Sequence, residues 1–359
     1  MTAPHPQQNK GFILVTVLLL VTLLTALLLR FHRSASADLQ ATQNRHHRLQ
    51  ALNAARAALH IAFATINKND NHQTNNTLQS LLNQTAYFDF GPAHVTLDLD
   101  VENGKINVNR LNDPNGDYSR PRIQQMLRLI DLLNQQRPQN TNVIPYALVP
   151  ALLDWTDPDN TPTVLPFIQG PNAGAESPYY RRQHPPYAAT NRPFATLDEL
   201  LLVKGFTPEL LYGTDHTNSS TSQPTSHNTT PLPANHTATL APNLSRYLTI
   251  YGDGKIDLNN APPLVLQTLL PNLDPALARQ IVNQRRLKPF SSPADLAALP
   301  GLDLTANTHL AEIATVAPQQ QYCRVTAHAA VQHTTVTLTA VTRKNTNSPN
   351  LDILAYWES

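Results

Sequence analysis

Residues 12–29, FILVTVLLLVTLLTALLL, hold 18 positions without a charge. Wound as a helix they reach roughly 27 Å, close to the thickness of about 30 Å of a bilayer's hydrocarbon core. Three readings of this run compete. A secretory signal peptide has an apolar region of about 7–15 residues and is cut after it. Ala35-Ser36-Ala37 resembles such a cut site, but Arg30, His32 and Arg33 stand between it and the run. A plain N-terminal membrane anchor is the second reading. The third is a short basic leader, ending in Lys10-Gly11, that is cut before the run and leaves the helix in the mature chain. The residues just beyond the run favour the third. From Phe12 to Asp70 there is no Gly and no Pro, the residues that most often end helices. Leu49, Leu52, Leu59, Phe63 and Ile66 recur at helical spacing, and Ala54, Ala55, Ala57 and Ala58 add helix propensity. One helix through residue 68 would leave the membrane and lay its second half on a globular domain. A bare anchor has no need of that length. Lys10 before the run and Arg30 and Arg33 after it give only a weak orientation signal.

The remaining chain is long enough, at 359 residues in all, for two or three domains. With 30 prolines against 11 glycines, it should be rich in ordered loops and extended segments. A net charge of +1 speaks weakly against a nucleic-acid binder, which usually carries a basic excess. The single cysteine, Cys323, excludes an internal disulfide and is expected as a half-buried strand residue.

Residues 95–101 alternate as a half-buried strand does. Glu102-Asn103-Gly104 reads as a turn, and residues 105–109 as the returning strand of a hairpin. Residues 324–342 read as two further strands joined near Gln332-His333. The segment between these hairpins contains echoes of itself. Gly104-Lys105-Ile106-Asn107-Val108-Asn109 recurs as Gly254-Lys255-Ile256-Asp257-Leu258-Asn259. The stretch from Pro193-Phe194 to Gly205 recurs from Pro289-Phe290 to Gly301. Thr196 and Ser292 are candidate helix N-caps, with Glu199 and Asp295 three residues on as in a capping box. Pro262-Pro263 opens a helix through Leu270. Residues 213–245 are Ser/Thr/Asn/Pro-rich and expected to be a disordered loop, with a shorter polar break at 67–77.

Two constellations could carry chemistry. Pro271 to Arg286 resembles a helix-hairpin-helix, a motif that often binds DNA phosphate through a Gly-x-Gly turn. Here the turn is Asn272-Leu273-Asp274, without glycine and with an acid, and the second hairpin has Gly301-Leu302-Asp303. Packing hairpins are the better reading. In Asp154-Trp155-Thr156-Asp157-Pro158-Asp159 the three acids can converge, with Glu176 in a turn downstream. Hard oxygen ligands of this kind suit Ca²⁺, although the spacing is not that of an EF-hand and a solvated acidic loop is the alternative. No enzyme signature stands out. His46-His47, beside Arg45 and Arg48, reads as a solvated helix face, and Trp155 as a core residue.

Lys10-Gly11 followed by Phe12 resembles the prepilin peptidase site of type IV pilins and type II secretion pseudopilins. The pattern Ile256-Asp257-Leu258-Asn259-Asn260-Ala261-Pro262-Pro263 resembles the K component, general secretion pathway protein K, and that resemblance covers nearly the whole chain apart from residues 213–245. It implies an α+β fold. A pseudopilin core, made of a long N-terminal helix and a small antiparallel sheet, would carry a large inserted helical domain with helix-hairpin-helix-like repeats. The expected divisions are a leader (1–11), a transmembrane part of the helix (12–29) and its periplasmic part (30–68). The first part of the sheet comes next (85–109), then an inserted helical domain (110–250), a helix-hairpin-helix-like segment (251–317) and the C-terminal strands (318–359). The resemblance further implies cleavage between Gly11 and Phe12 with methylation of Phe12. Most relatives carry Glu at the fifth mature position, where this chain has Thr16. A carboxylate in the bilayer is costly unless paired, and a subunit lacking it suits the first or tip position of a pseudopilus. The helical domain of K components binds calcium, which points to Asp154, Asp157, Asp159 and Glu176 as ligands. Implied partners are the I- and J-type minor pseudopilins, the prepilin peptidase and the inner-membrane platform, with no nucleic acid and no enzymatic activity. The expected location is the bacterial inner membrane, crossed once, with the C-terminal domain in the periplasm. A membrane-anchored DNA-binding protein of competence type is the alternative from another class. A minor type IV pilin is a third reading, against which the long insertion argues.

Overall fold

The computed structural model describes residues 10–68, 85–113, 117–137, 143–170, 172–213, 243–302, 309–345 and 351–358, and only the backbone of residues 10–13. Residues 1–9 of the leader, the polar break from residue 69, residues 214–242 of the Ser/Thr-rich segment, and Asp303 lie outside the described residues.

Helix α1 runs unbroken over Lys10–Lys68. Its first part includes a stretch long and apolar enough to cross a membrane. Its C-terminal part, from Ala51 on, lies on a five-stranded antiparallel sheet. From one edge to the other the strands are β1 (Ala86–Phe90), β2 (Ala93–Val101), β7 (Gln320–Val331), β8 (Thr334–Asn345) and β9 (Leu351–Glu358). The four short strands between β2 and β7 belong to a separate body.

The face that α1 buries takes in the expected stripe except Leu49, since Leu59 and Ile66 are core and Leu52 and Phe63 pack against it, and it adds a row of alanines. Leu49 is 58% exposed, whereas Ala51, Ala54, Ala55, Ala58 and Ala62 are buried together with Leu59 and Ile66. They meet Val95 and Leu97 of β2, Ala327 and Ala329 of β7, and Leu338 and Ala340 of β8. Small residues on both surfaces let the helix sit close to the sheet, and dispersion rises steeply with close approach. Cys323 faces the same core and is fully buried, not half-buried, and burial pushes its thiol up to about 12. Lys344 of β8, also buried, donates from Nζ to the carbonyls of Ile66 (3.2 Å) and Asn67 (2.8 Å). These are orphan acceptors at the helix C-terminus, which a lysine can satisfy.

The expected hairpin at residues 95–109 does not form. After Val101 the chain takes a 3₁₀ turn at Glu102–Gly104 and leaves the sheet. Strand β3 (Ile106–Asn107) then pairs in parallel with β4 (Leu248–Thr249). Residues 102–109 therefore stand outside the sheet, which ends at Val101, and the partner of β2 on that side is β1. The alternation in KINVN misleads because its polar members point inward. Asn107 donates to the carbonyls of Tyr251 and Gly252, and Asn109 bonds Phe194 through both its amide nitrogen and its oxygen.

The second body has one core that extends from Ile106 to Ala314. Its helices are α2 (Arg120–Gln135), α3 (Leu148–Thr156), α4 (Ser177–Tyr180), α5 (Pro208–Tyr212), α6 (Pro263–Gln267), α7 (Pro275–Leu287) and α8 (Leu310–Ile313). The echo in the sequence is an echo in space. Strand β5 (Ile256–Asp257) pairs in parallel with β6 (Ala314–Thr315), as β3 does with β4. Asn259 bonds Phe290 as Asn109 bonds Phe194. A 3₁₀ turn comes after each phenylalanine, at Leu197–Leu202 and Pro293–Ala298. The caps differ. Ser292 and Asp295 form a full capping box, whereas the Thr196 side chain caps nothing.

The bodies are joined by buried polar groups. Asn103 donates to the Gln320 carbonyl and accepts from the Tyr322 amide. Glu102 accepts from Arg324 at 2.7 Å and from Lys105 at 3.0 Å. Burial alone pushes the Glu102 carboxyl up, but the Lys105 and Arg324 cations beside it hold it below its ordinary range.

Candidate metal centre

Helix α3 ends in an acid-rich turn because Pro158 stops its continuation. Asp154 sits in its last turn, fully buried, and Asp157 is its C-cap. Glu176 is the N-cap of α4 and is 2% exposed. Carboxylate oxygens of Asp154, Asp157 and Glu176 all lie within 4.8 Å of one another. The loop between them is held by backbone pairing of Val164 with Ala173 and by a bond from the Gly174 amide to the Thr163 carbonyl at 3.0 Å. Lys204 ties the near side of the loop by donating to the carbonyls of Ala173 and Gly174.

One oxygen of Asp154 accepts from the Thr163 amide at 2.9 Å. The other has no partner, nor do Oδ1 of Asp157 or either oxygen of Glu176. Among the described residues no lysine or arginine forms an ion pair with any of the three. Burial pushes these carboxyls up, and the neighbouring acids push further. Glu176 rises to about 7, with Asp154 and Asp157 as its charged neighbours, and Asp157 rises to about 6. Asp154 also rises, mainly by burial and in spite of its bonds to Thr163. Three anions taken out of water with unpaired oxygens are costly. A divalent cation removes both costs, so the residues present fit a hard, oxygen-seeking ion such as Ca²⁺.

Asp159 stands apart from the cluster. It is exposed, its carboxylate accepts from the Thr161 amide, and its carbonyl accepts from Asn191. Gly174 was visible in the sequence only as a turn residue. In space a Cβ there would fall 2.0 Å from Asp154 Oδ2 and 2.7 Å from the Pro150 carbonyl, so glycine alone leaves Asp154 its place. Trp155 is core, packed edge-on against Tyr180 and stacked on Phe194.

The hairpin-like segment is built as packing. Asp274 caps α7 by accepting from the Leu277 amide at 2.8 Å. Leu273, Ala278 and Ile281 are buried, and Arg285 turns inward to the carbonyls of Leu258 and Ala261.

Two family models match the chain, both described as type II secretion system protein K, over residues 104–213 and 256–315. The first contains the carboxylate cluster. None of the curated proteins compared matches. Among solved structures the chain is similar to one from the crystal structure of the GspK-GspI-GspJ complex of the enterotoxigenic Escherichia coli type 2 secretion system. Identity is 16%, the TM-score is 0.61, and the match covers 89% of this chain and 99% of that one. That likeness is one of fold, a long helix on a small sheet with an inserted helical body. The family matches lie inside that body, and over residues 104–213 and 256–315 the chain has the sequence of a type II secretion system protein K.

Proposed function

We propose that this protein is the minor pseudopilin at the tip of a short periplasmic pseudopilus, where it initiates assembly and helps export folded proteins across the outer membrane. The observation that carries the reading is the continuous helix α1, apolar at its start and packed on the sheet at its end, in a chain that also carries a large helical insertion. In this reading α1 holds the chain in the inner membrane until assembly, with the C-terminal domain in the periplasm. Prepilin peptidase cuts between Gly11 and Phe12, Phe12 is then methylated, and Thr16 exempts the chain from docking beneath an earlier subunit. The partners are the I- and J-type minor pseudopilins and the inner-membrane platform.

Calcium has a structural part in this proposal. Asp154, Asp157 and Glu176 hold it, and Asp159 contributes through its charge or as an outer ligand. The ion would clamp the loop at 157–176 onto α3 and so set the surface of the helical body.

Co-expression of the full chain with I- and J-type pseudopilins, followed by affinity purification, tests the reading. A stable three-component assembly is expected, and failure to retain either partner overturns it. Mass spectrometry of the mature N-terminus should find a methylated Phe12.

A further inference from the structure

The inner face of β9 lies beside α1 and leaves Ile353 and Tyr356 uncovered, between Leu351, which packs against the core, and Glu358. Pairing with β8 sets Leu338 opposite Glu358, Ala340 opposite Tyr356, Thr342 opposite Ile353 and Lys344 opposite Leu351. Leu338 and Ala340 face α1 in the core, and Lys344 reaches its last carbonyls, so their β9 partners point the same way. Helix α1 packs over β2, β7 and β8. It reaches β9 through the Arg48–Glu358 ion pair at 2.7 Å. Beyond it Ile353 is 54% exposed and Tyr356 47% exposed. The outer face of β9 is guarded differently, by the Asp352–Arg343 pair and by Trp357 beneath Arg324. Exposed edge strands are usually blunted with charge or proline. Ile353 and Tyr356 do neither.

We infer that the step formed by the side of α1 and the inner face of β9 seats an amphipathic helix of a partner subunit, whose apolar stripe covers Ile353 and Tyr356 and whose carboxylates face the arginines of α1. The inference rests on the reading of this chain as part of a pseudopilin complex. The shape suits a helix. One bare strand beside a helix leaves an L-shaped ledge, and a second helix packs about 8–10 Å from the first. The charge selects its chemistry. Arg45 and Arg56 lie three and eight residues from Arg48, which puts all three on the same side of α1, the side of Glu358. Between Arg30 and Lys68 the helix carries six basic residues and the single acid Asp38. A second copy of this chain would bring an equally basic α1 and be repelled. Lipid is out of reach, since Arg48 stands about 28 Å along the helix from Leu29, against a screening length of about 8 Å.

The test uses the full chain co-purified with I- and J-type pseudopilins, with a benzophenone amino acid at position 353 or 356, or at position 87 on the opposite sheet edge. Ultraviolet irradiation should yield adducts from 353 and 356 that map to one acidic helical segment of a partner, and none to that segment from 87. Arg45→Glu combined with Arg56→Glu should weaken the assembly about tenfold, with a smaller loss at high salt. Adducts to lipid, to a second copy or to a non-helical segment overturn the inference, as does a charge reversal without effect. If no assembly forms at all, the functional reading falls and this inference with it.

Discussion

Gly174 and Glu176 carry the sharpest consequences for single residues. A methyl group at Gly174 has no room beside Asp154 Oδ2 and the Pro150 carbonyl. Gly174→Ala should therefore cost about 1–3 kcal/mol of stability and weaken Ca²⁺ binding at least about tenfold in titration calorimetry of the full chain. Glu176→Gln removes one buried charge from a cluster that lacks cations among its described neighbours. It should stabilise the chain in chelator and abolish the stabilisation by Ca²⁺. Unchanged calcium affinity in both variants would remove the site. The acids of this cluster were legible in the sequence as a run with a downstream partner. That Asp159 turns away to bond Thr161 was not, because proximity along a loop does not fix which side chains the backbone turns inward.

At the scale of elements, α1 was legible as one helix from its freedom from glycine and proline. Its buried face was legible in Leu52, Leu59, Phe63 and Ile66, whereas the alanines beside them and the exposure of Leu49 were not. Close packing on a sheet of alanines and valines selects small residues. Ala58→Leu should destabilise by about 1–3 kcal/mol through overpacking, whereas Leu49→Ala should change stability by less than about 0.5 kcal/mol, as exposed positions do. Chemical denaturation of the two variants checks the contrast. Lys344→Met should cost about 1–3 kcal/mol, since it leaves the Ile66 and Asn67 carbonyls without their buried donor. The repeat was also visible in the sequence. The parallel pairings it produces were not, because β3 and β5 are two residues long and their partners lie far along the chain.

For the whole molecule, two expectations concern pH and the joint between the bodies. Glu176 and Asp157 titrate higher when folded than unfolded, so the folded chain binds more protons between about pH 4 and 7. Stability contributed by their protonation is present at low pH and lost as pH rises through about 6 to 7. In chelator the Tm should therefore fall from pH 5 to pH 8, and excess Ca²⁺ should restore it at pH 8. Buried Asp257, raised to about 6, adds a fall of the same sign that calcium leaves in place. At the joint, Arg324→Ala removes one of the two cations beside buried Glu102 and leaves Lys105, which Asp100 also shares; it should cost about 3–5 kcal/mol, read as a lower midpoint in urea.

The insertion leaves the sheet at Glu102 and returns beside it at Arg324, 222 residues later and within hydrogen-bond distance. The helical body is thus the loop of a single hairpin, stretched to the size of a domain. Closing so long a loop as a loose chain is slow, and strands paired across it cannot zip from a turn. The helical body must therefore condense before β2 and β7 can find each other, and its own folding supplies the turn. The pairing of β2 with β7, which joins two local sets of strands into one platform for the long helix, is then expected to be the late step.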